Sequence, residues 1–251
     1  MKQLTALYLL ALCLEFSHSL KLPDYITPCH RYDPNINACA LKSARETIPH
    51  VINGDPKYKV PPLDPVLIKE LVVSQGSSSV GLTLAARDAY LRGVKDVEIR
   101  DLDFNFKDQT VYFEWYFPKL QIDCIYNVTG RVLLLPIEGY GNGTISLNKV
   151  RSNYTYDWEI IKKKDGKEYV TVTKAHLTFD PEKFQIHLEN LFNGNKLLGD
   201  NMNRFMNENW RDILKDVGPA VAEAVGEYIR LVLNSIYKSV PYEDVFIFDP
   251  V

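Results

Sequence analysis

One amphipathic run near the C-terminus constrains this chain more than any other feature. From Met202, apolar residues recur at Met206, Trp210, Ile213, Val217, Val221, Ala224, Tyr228 and Leu231. A second row follows Leu214, Val221, Val225, Ile229, Val232 and Ile236. Glu208, Arg211, Lys215, Glu223, Glu227, Arg230, Asn234 and Lys238 fill the other side. This period predicts a helix from Met202 to Lys238, roughly 55 Å long at about 1.5 Å per residue. Gly218-Pro219 predicts a kink or split within it. A compact domain of this length is about 35 Å across, so such a helix does not fit inside one and an elongated shape is implied. Glu223, Glu227 and Arg230 interrupt the apolar face, which excludes a membrane span. Pro241 ends the helix, and Val245 to Phe248 reads as a final short strand.

Before the helix lies β territory, from about Val80 to Leu191. Apolar residues alternate through Val97 and Ile99, and then, after a phase change at Asp101, through Leu102, Phe104 and Phe106. The series continues with Val111, Phe113, Trp115 and Phe117, then Leu120 and Ile122, then Val132 and Leu134, then Ile145 and Leu147. Tyr154, Tyr156, Trp158 and Ile160 follow, then Val170 and Val172, Leu177 and Phe179, and Phe184, Ile186 and Leu188. Turn signals at Lys107-Asp108, Asn127 to Gly130, Gly139 to Gly143, Asp165-Gly166 and Asp180-Pro181 divide the series. This is an antiparallel meander with one apolar face. Upstream, Asn37 to His50 predicts a helix ended by Asn53-Gly54, and Val60 to Pro65 is an extended connector. Val66 to Val73 fits a short helix and the start of a strand equally. The fold expected is α+β: a strongly curved antiparallel sheet wrapped lengthwise around one long C-terminal helix, in a single elongated domain.

The first nineteen residues are expected to be a signal peptide. Met1-Lys2-Gln3 is a short positive start, Leu4 to Leu14 is almost wholly apolar, and Ser17 and Ser19 are small. The domain then spans 20–251, keeps a net charge of −3 and retains three cysteines. Secretion permits disulfides, and Cys29 and Cys39 are expected to pair. Closing that loop restricts the unfolded chain by about 2.8 kcal/mol. Cys124 shares the phase of Leu120 and Ile122, so it reads as a small buried hydrophobe. Asn127-Val128-Thr129, Asn142-Gly143-Thr144 and Asn153-Tyr154-Thr155 are glycosylation sequons, and Asn127 falls out of phase with the inward residues. A mildly acidic chain lacks the basic surface that nucleic acid needs. Lys162-Lys163-Lys164 reads as a solvated hairpin tip.

The motifs of catalysis are not found. Gly76-Ser77-Ser78-Ser79-Val80 lacks the second glycine of a nucleophile elbow. Gly139-Tyr140-Gly141-Asn142-Gly143 precedes a strand, whereas a dinucleotide fingerprint opens a helix. His30, His50, His176 and His187 are dispersed, and no metal-ligand spacing joins them. The expectation is no enzyme, no catalytic residue, no metal and no cofactor.

Several of these features together resemble the takeout / juvenile-hormone-binding protein family of insects. They are Cys29 and Cys39, Leu63-Asp64-Pro65, Phe117-Pro118-Lys119-Leu120, the stretch from Gly130 to Gly141, the long C-terminal helix, and Tyr242 to Phe248. The resemblance implies a tubular lipid-binding fold whose curved sheet and helix enclose an apolar tunnel, in an extracellular protein of haemolymph or a similar fluid. Cys124 departs from the family's pattern, and a second disulfide cannot form within this chain, so the takeout-like branch is the better match.

The expected function is carriage of a small hydrophobic ligand, such as juvenile hormone, another terpenoid, a fatty acid or an odorant. Candidate tunnel residues are Phe113, Trp115, Leu120, Ile122, Val132, Leu134, Trp158, Val217, Val221 and Tyr228. Each fits solid core as well as tunnel wall. A receptor is a further partner such a carrier can have. The alternative is a secreted glycoprotein that acts through protein–protein contact without a small ligand.

Overall fold

A computed structural model describes residues 19–75 and 81–249. The expected signal segment, Ser19 apart, and the serine run at 76–80 lie outside the described residues. The chain opens with β1 (Cys29–His30) and α1 (Ile36–Val51), followed by β2 (Val66–Gln75), β3 (Leu82–Arg92), β4 (Glu98–Asn105), β5 (Thr110–Val132), β6 (Leu135–Lys162) and β7 (Glu168–Leu188). Then come α2 (Lys196–Glu208), α3 (Trp210–Tyr237), α4 (Tyr242–Val245) and β8 (Phe246–Ile247). The ambiguous stretch from Val66 is a strand.

The principal sheet is antiparallel, with strand order β2-β3-β5-β6-β7 and β4 added to the other part of β5. Helix α3 packs on β7 and also touches β2. These are the two ends of the strand order, so one helix meeting both requires the sheet to curl around it. The expected architecture is therefore present. Strands β5, β6 and β7 are 23, 28 and 21 residues long, several times the usual five or six.

Such strands need a bend, and the alternation shows where it falls. Phe117 and Leu120 are half-buried, with exposed Pro118 and Lys119 between them. Leu147 and Val150 on β6, and Pro181 and Phe184 on β7, are buried around their own outward pairs. Phe117 lies opposite Val150 and Val150 opposite Pro181; Leu120 lies opposite Leu147 and Leu147 opposite Phe184. Three neighbouring strands thus change face at the same level, and Lys149 there takes φ +51°. Leu147, Val150 and Phe184 form one buried cluster across this line. A smaller phase change at Asp101 is a bulge in the pairing of β4 with β5.

Three expected turns are strand interior. Gly130 adopts φ +124°, and a Cβ there would sit 2.0 Å from the Gly81 carbonyl oxygen, so the glycine serves close strand approach. Gly139, Gly141 and Gly143 make room for Leu191, the Glu189 carbonyl and Leu188 where β6 passes beneath that segment. Pro181 is tolerated because β7 ends the strand order. The tip at Asp165-Gly166 is a turn as expected, although Lys163 is not simply solvated. Its ammonium lies 3.9 Å from the Tyr169 ring centroid and donates to the Lys238 carbonyl.

The helical run is also divided differently. It begins at Lys196 and breaks at Asn209, not at Gly218-Pro219. Asn209 leaves helical geometry at φ −108°, ψ 23°. Its Nδ2 donates to the Phe205 carbonyl at 2.8 Å and its backbone N–H to the same oxygen at 3.0 Å, closing α2. Pro219 stands inside α3, on its exposed side. There water can satisfy the Lys215 carbonyl that loses its donor. The longest helix is α3, with 28 residues and a length of about 42 Å.

Asparagines on these helices cover the edge of β7. Asn234 accepts from Val172 N–H at 2.9 Å and donates to its carbonyl at 3.0 Å. Asn203 does the same for Leu188, and Asn207 for Ile186. Each amide stands in for a further strand and satisfies an open edge.

The Cys29–Cys39 disulfide is present. It ties α1 to β1, and β1 in turn pairs in parallel with β8, so the bond fixes the helix to the strand that meets the C-terminal segment. Reduction is expected to lower stability by about 2.8 kcal/mol, or some 6–11 °C in melting temperature for a domain this size. A thermal melt with and without reductant checks this. An unchanged midpoint would mean that the bridge constrains nothing that unfolds cooperatively.

Candidate functional site

The interior of the curl consists of two sealed ends and a looser middle. At one end Val111, Tyr154, Tyr156, Trp158, Val170, Val172 and Leu177 pack with Ala222 of α3. Tyr154 is fully buried, stacks on Trp115 at 5.3 Å and donates to the Gly226 carbonyl at 3.2 Å. Tyr156 and Tyr237 share a hydroxyl–hydroxyl hydrogen bond of 2.9 Å. Burial raises the pKa of both phenols, so both stay neutral. At the other end Tyr126, Val128, Val132 and Ile137 pack with Leu188, Leu191, Met202 and Met206.

Between them Phe113, Trp115, Phe117, Leu120 and Ile122 run along β5, and every one remains half-buried. Phe113, Trp115 and Phe117 form a ladder of ring contacts at 5.5 and 6.5 Å. Trp210 and Leu214 at the start of α3 pack, as Phe117, Leu120 and Ile122 do, against the buried Leu147, Val150 and Phe184, with Trp210 stacked on Phe184 at 6.2 Å. Val217 and Val221 continue that stripe at helical spacing, with Tyr228 two turns further on. These three are half-buried too, and burial raises the Tyr228 pKa. The middle is thus an apolar belt of half-buried side chains on β5 and α3, floored on the sheet by the buried Leu147, Val150 and Phe184.

This sorts the expected lining residues. Phe113, Trp115, Leu120, Ile122, Val217, Val221 and Tyr228 fall in the belt. Val132 is buried in the cluster at the far end. Trp158, 7% exposed, belongs to the sealed aromatic end and borders a void of only about 10 Å³, far below the ~300 Å³ of ligand pockets. Leu134 is a correction: it is 84% exposed, in the tight turn between β5 and β6. Its alternation with Val132 is broken by Leu133, which takes φ +55° and packs inward instead. A depression of about 430 Å³ between Gly166–Glu168 and Tyr242, Glu243 and Phe248 lies on the surface with a mixed lining. It is separate from the belt.

Phe117, Trp210 and Leu214 belong with the belt although the expected lining omitted them. Phe117 was visible in the strand alternation, and the other two in the helix rows. Cys124 is a half-buried free thiol whose pKa is raised by burial and then by Asp123. Asn127, Asn142 and Asn153 are all exposed. Asn142 Nδ2 donates to Glu189 at 3.0 Å, and Asn153 Oδ1 accepts from Tyr112 at 3.1 Å. Among the described residues, no three His, Cys, Asp or Glu side chains converge as metal ligands, and no helix is long and apolar enough to cross a membrane.

The family model for haemolymph juvenile hormone binding protein matches residues 7–247. The chain belongs to the juvenile hormone binding protein family. Among relatives in this family, circadian clock-controlled protein daywake of Drosophila melanogaster is 28% identical over 227 residues, 88% of this chain and 87% of daywake. Its Drosophila yakuba counterpart is 27% identical over the same length. The crystal structure of Epiphyas postvittana Takeout 1 superposes with a TM-score of 0.77 at 26% identity, covering 88% of this chain and 100% of Takeout 1. Two motifs that carry the family resemblance meet in the structure. The Asp64 carboxylate accepts from the N–H groups of Gly93 and Lys95 at 3.0 and 2.9 Å. Gly93, at φ +97°, leaves no room for a Cβ, which would sit 2.1 Å from the Lys119 carbonyl oxygen.

Proposed function

We propose that the protein is a secreted carrier that holds a small hydrophobic molecule along the apolar belt between β5 and α3. The observation that carries this is the contrast in burial. Large apolar side chains at the two ends are closed in, while the middle keeps a row of half-buried ones on β5 and on α3 beside the buried Leu147, Val150 and Phe184. A terpenoid or fatty chain of about a dozen carbons gains about 10 kcal/mol gross by leaving water, at ~0.8 kcal/mol per CH₂. Binding costs of several kcal/mol leave micromolar to nanomolar affinity within reach. Juvenile hormone, another terpenoid, a fatty acid or an odorant meets the apolar requirement, and the family's name favours the first. Export through an oxidising compartment, after removal of residues 1–19, is supported by the disulfide. Glycans on Asn127, Asn142 and Asn153 would stand on exposed positions. A cell-surface receptor would then take delivery.

The test is to express the full chain in insect cells and recover it from the medium. N-terminal sequencing and glycosidase treatment read processing and glycans. Organic extraction with mass spectrometry, followed by titration of the stripped protein with a fluorescent fatty probe, reads the ligand. A recovered lipid and saturable micromolar binding are expected. No extractable molecule and no saturable uptake would leave a glycoprotein that works by surface contact alone.

A further inference from the structure

The expected cleavage point and the end of the longest helix meet in space. Leu20, the first residue after the expected signal peptide, donates its N–H to the Ser239 carbonyl at 2.9 Å. Ser239 follows directly on Lys238, the C-cap of α3. The Lys238 carbonyl in turn accepts from the Lys163 ammonium of the β6–β7 tip. Two successive carbonyls at the negative end of α3 are thus held by donors from distant parts of the chain. One donor is a cation and the other a neutral amide.

The Leu20 nitrogen is held there by residues that remain after cleavage. The Leu20, Leu22 and Tyr25 side chains pack on Val51, Tyr58, Val60 and Val240, alongside Val232 and Ile236 of α3. The Tyr58 hydroxyl donates to the Lys21 carbonyl at 2.6 Å. On the other side of the scissile bond, Ser19 Oγ accepts from Lys167 Nζ at 3.0 Å, and Ser19 also bonds to the Tyr169 hydroxyl. Tyr169 is 2% exposed and donates to Asp165 at 2.6 Å. Its oxygen therefore loses a partner when Ser19 goes, whereas Lys167 keeps Glu243 at 3.9 Å.

Hydrolysis by a signal peptidase adds water across the 19–20 bond. The Ser19 carbonyl carbon takes the hydroxyl and leaves as a carboxylate. The Leu20 nitrogen, relieved of its acyl group, is protonated to an ammonium. Its bond to the Ser239 carbonyl becomes charge-assisted, and such bonds are roughly twice as strong as neutral ones. A cation at a helix C-terminus is also favoured by the helix dipole. The added protons lie on the side that Ser19 vacates, where the Tyr169 oxygen has lost its partner. Charged side chains on the surrounding elements balance: Lys163, Lys167, Lys238 and Lys21 against Asp165, Glu243, Asp244 and Asp24. The carbonyls at the end of α3 therefore set the sign of the effect.

We propose that removal of residues 1–19 completes the fold as well as releasing the chain: the α-ammonium created at Leu20 caps the C-terminal end of α3. This rests on the processing reading and adds to it what the new terminus does.

The experiment compares two chains that both end at residue 251. One begins at Leu20, released from a fusion by a protease that leaves no extra residue. The other begins at Ser19, which moves the ammonium one residue away from Ser239. At pH 6.5 the Leu20 chain is expected to melt about 2–4 °C higher, the worth of one strengthened hydrogen bond in a domain of this size. Capping favours the charged form, so the gain is complete below the ordinary α-amino pKa of about 8 and fades as pH rises above it. By pH 9.5 the two melting points should converge. Equal melting points at pH 6.5 overturn the cap. So does a difference that persists unchanged at pH 9.5, which would assign it to packing of the terminus. N-terminal sequencing of the chain secreted from insect cells should give Leu20 first. A start elsewhere fails the processing reading and removes the cap from the native protein, whereas a Leu20 start with equal melting points fails the cap alone.

Discussion

Replacing Tyr154 with alanine is expected to destabilise the protein by about 4 kcal/mol, within the ~3–5 kcal/mol of large aromatic truncations in cores. The side chain is 0% exposed and stacks on Trp115 from β5. It also reaches across to the Gly226 carbonyl of α3. Gly226 lies close against the sheet there. A Cβ on it would lie 3.3 Å from Leu177 Cβ and 3.9 Å from Tyr154 Cε2. Removing the ring therefore opens a cavity at the seam between helix and sheet, where neither can move in without straining the other. Urea unfolding followed by circular dichroism measures the loss. The melting point should fall by about 8–16 °C. Tyr154→Phe keeps the ring and gives up one hydrogen bond, costing about 1 kcal/mol. A loss below about 2 kcal/mol for the alanine variant would mean that the seam collapses around the gap.

Val221→Trp is expected to weaken uptake of the fluorescent fatty probe tenfold or more, or about 1.4 kcal/mol. Val221 lies two turns beyond Leu214, which packs on the same buried cluster as Phe117, Leu120 and Ile122. An indole there occupies belt space that the probe would otherwise fill. Because the position is half-buried, the larger side chain is accommodated with little loss of stability, unlike overpacking in a closed core. Leu231→Trp, on an exposed part of α3, is the control and should bind as wild type does. Unaltered uptake by Val221→Trp would remove the helix stripe from the site and restrict it to β5.

The expectations that held and those that did not divide along physical lines. The alternation breaks between Phe117 and Leu120, and again between Phe179 and Phe184, where Asp180-Pro181 was expected to be a turn. In space it is a bend across three strands. The helix break was assigned to Gly218-Pro219 from propensity, yet Pro219 stands on an exposed helical face and does no harm there. The break falls at Asn209, whose side chain closes α2. Leu134 was read as inward from its spacing to Val132. A turn between them reversed that, because alternation lasts only as long as the strand does. The glycines at 139–143 signalled a turn, but their cause lies some 48 residues away in the chain segment packed on them.

The one-dimensional pattern determined which residues are apolar on which face, the antiparallel strands, the amphipathic helix and the cysteine pair, because periodicity and loop closure are local properties of a chain. What it left open is which apolar residues are sealed and which are accessible. Phe113 and Val111 are two residues apart on one face of one strand, and only the second is closed in. That difference depends on what packs on each side chain in space. Tyr154 reaching Gly226, Tyr156 meeting Tyr237 and asparagines clasping the edge of β7 hold helix to sheet, all of them contacts between residues distant in sequence.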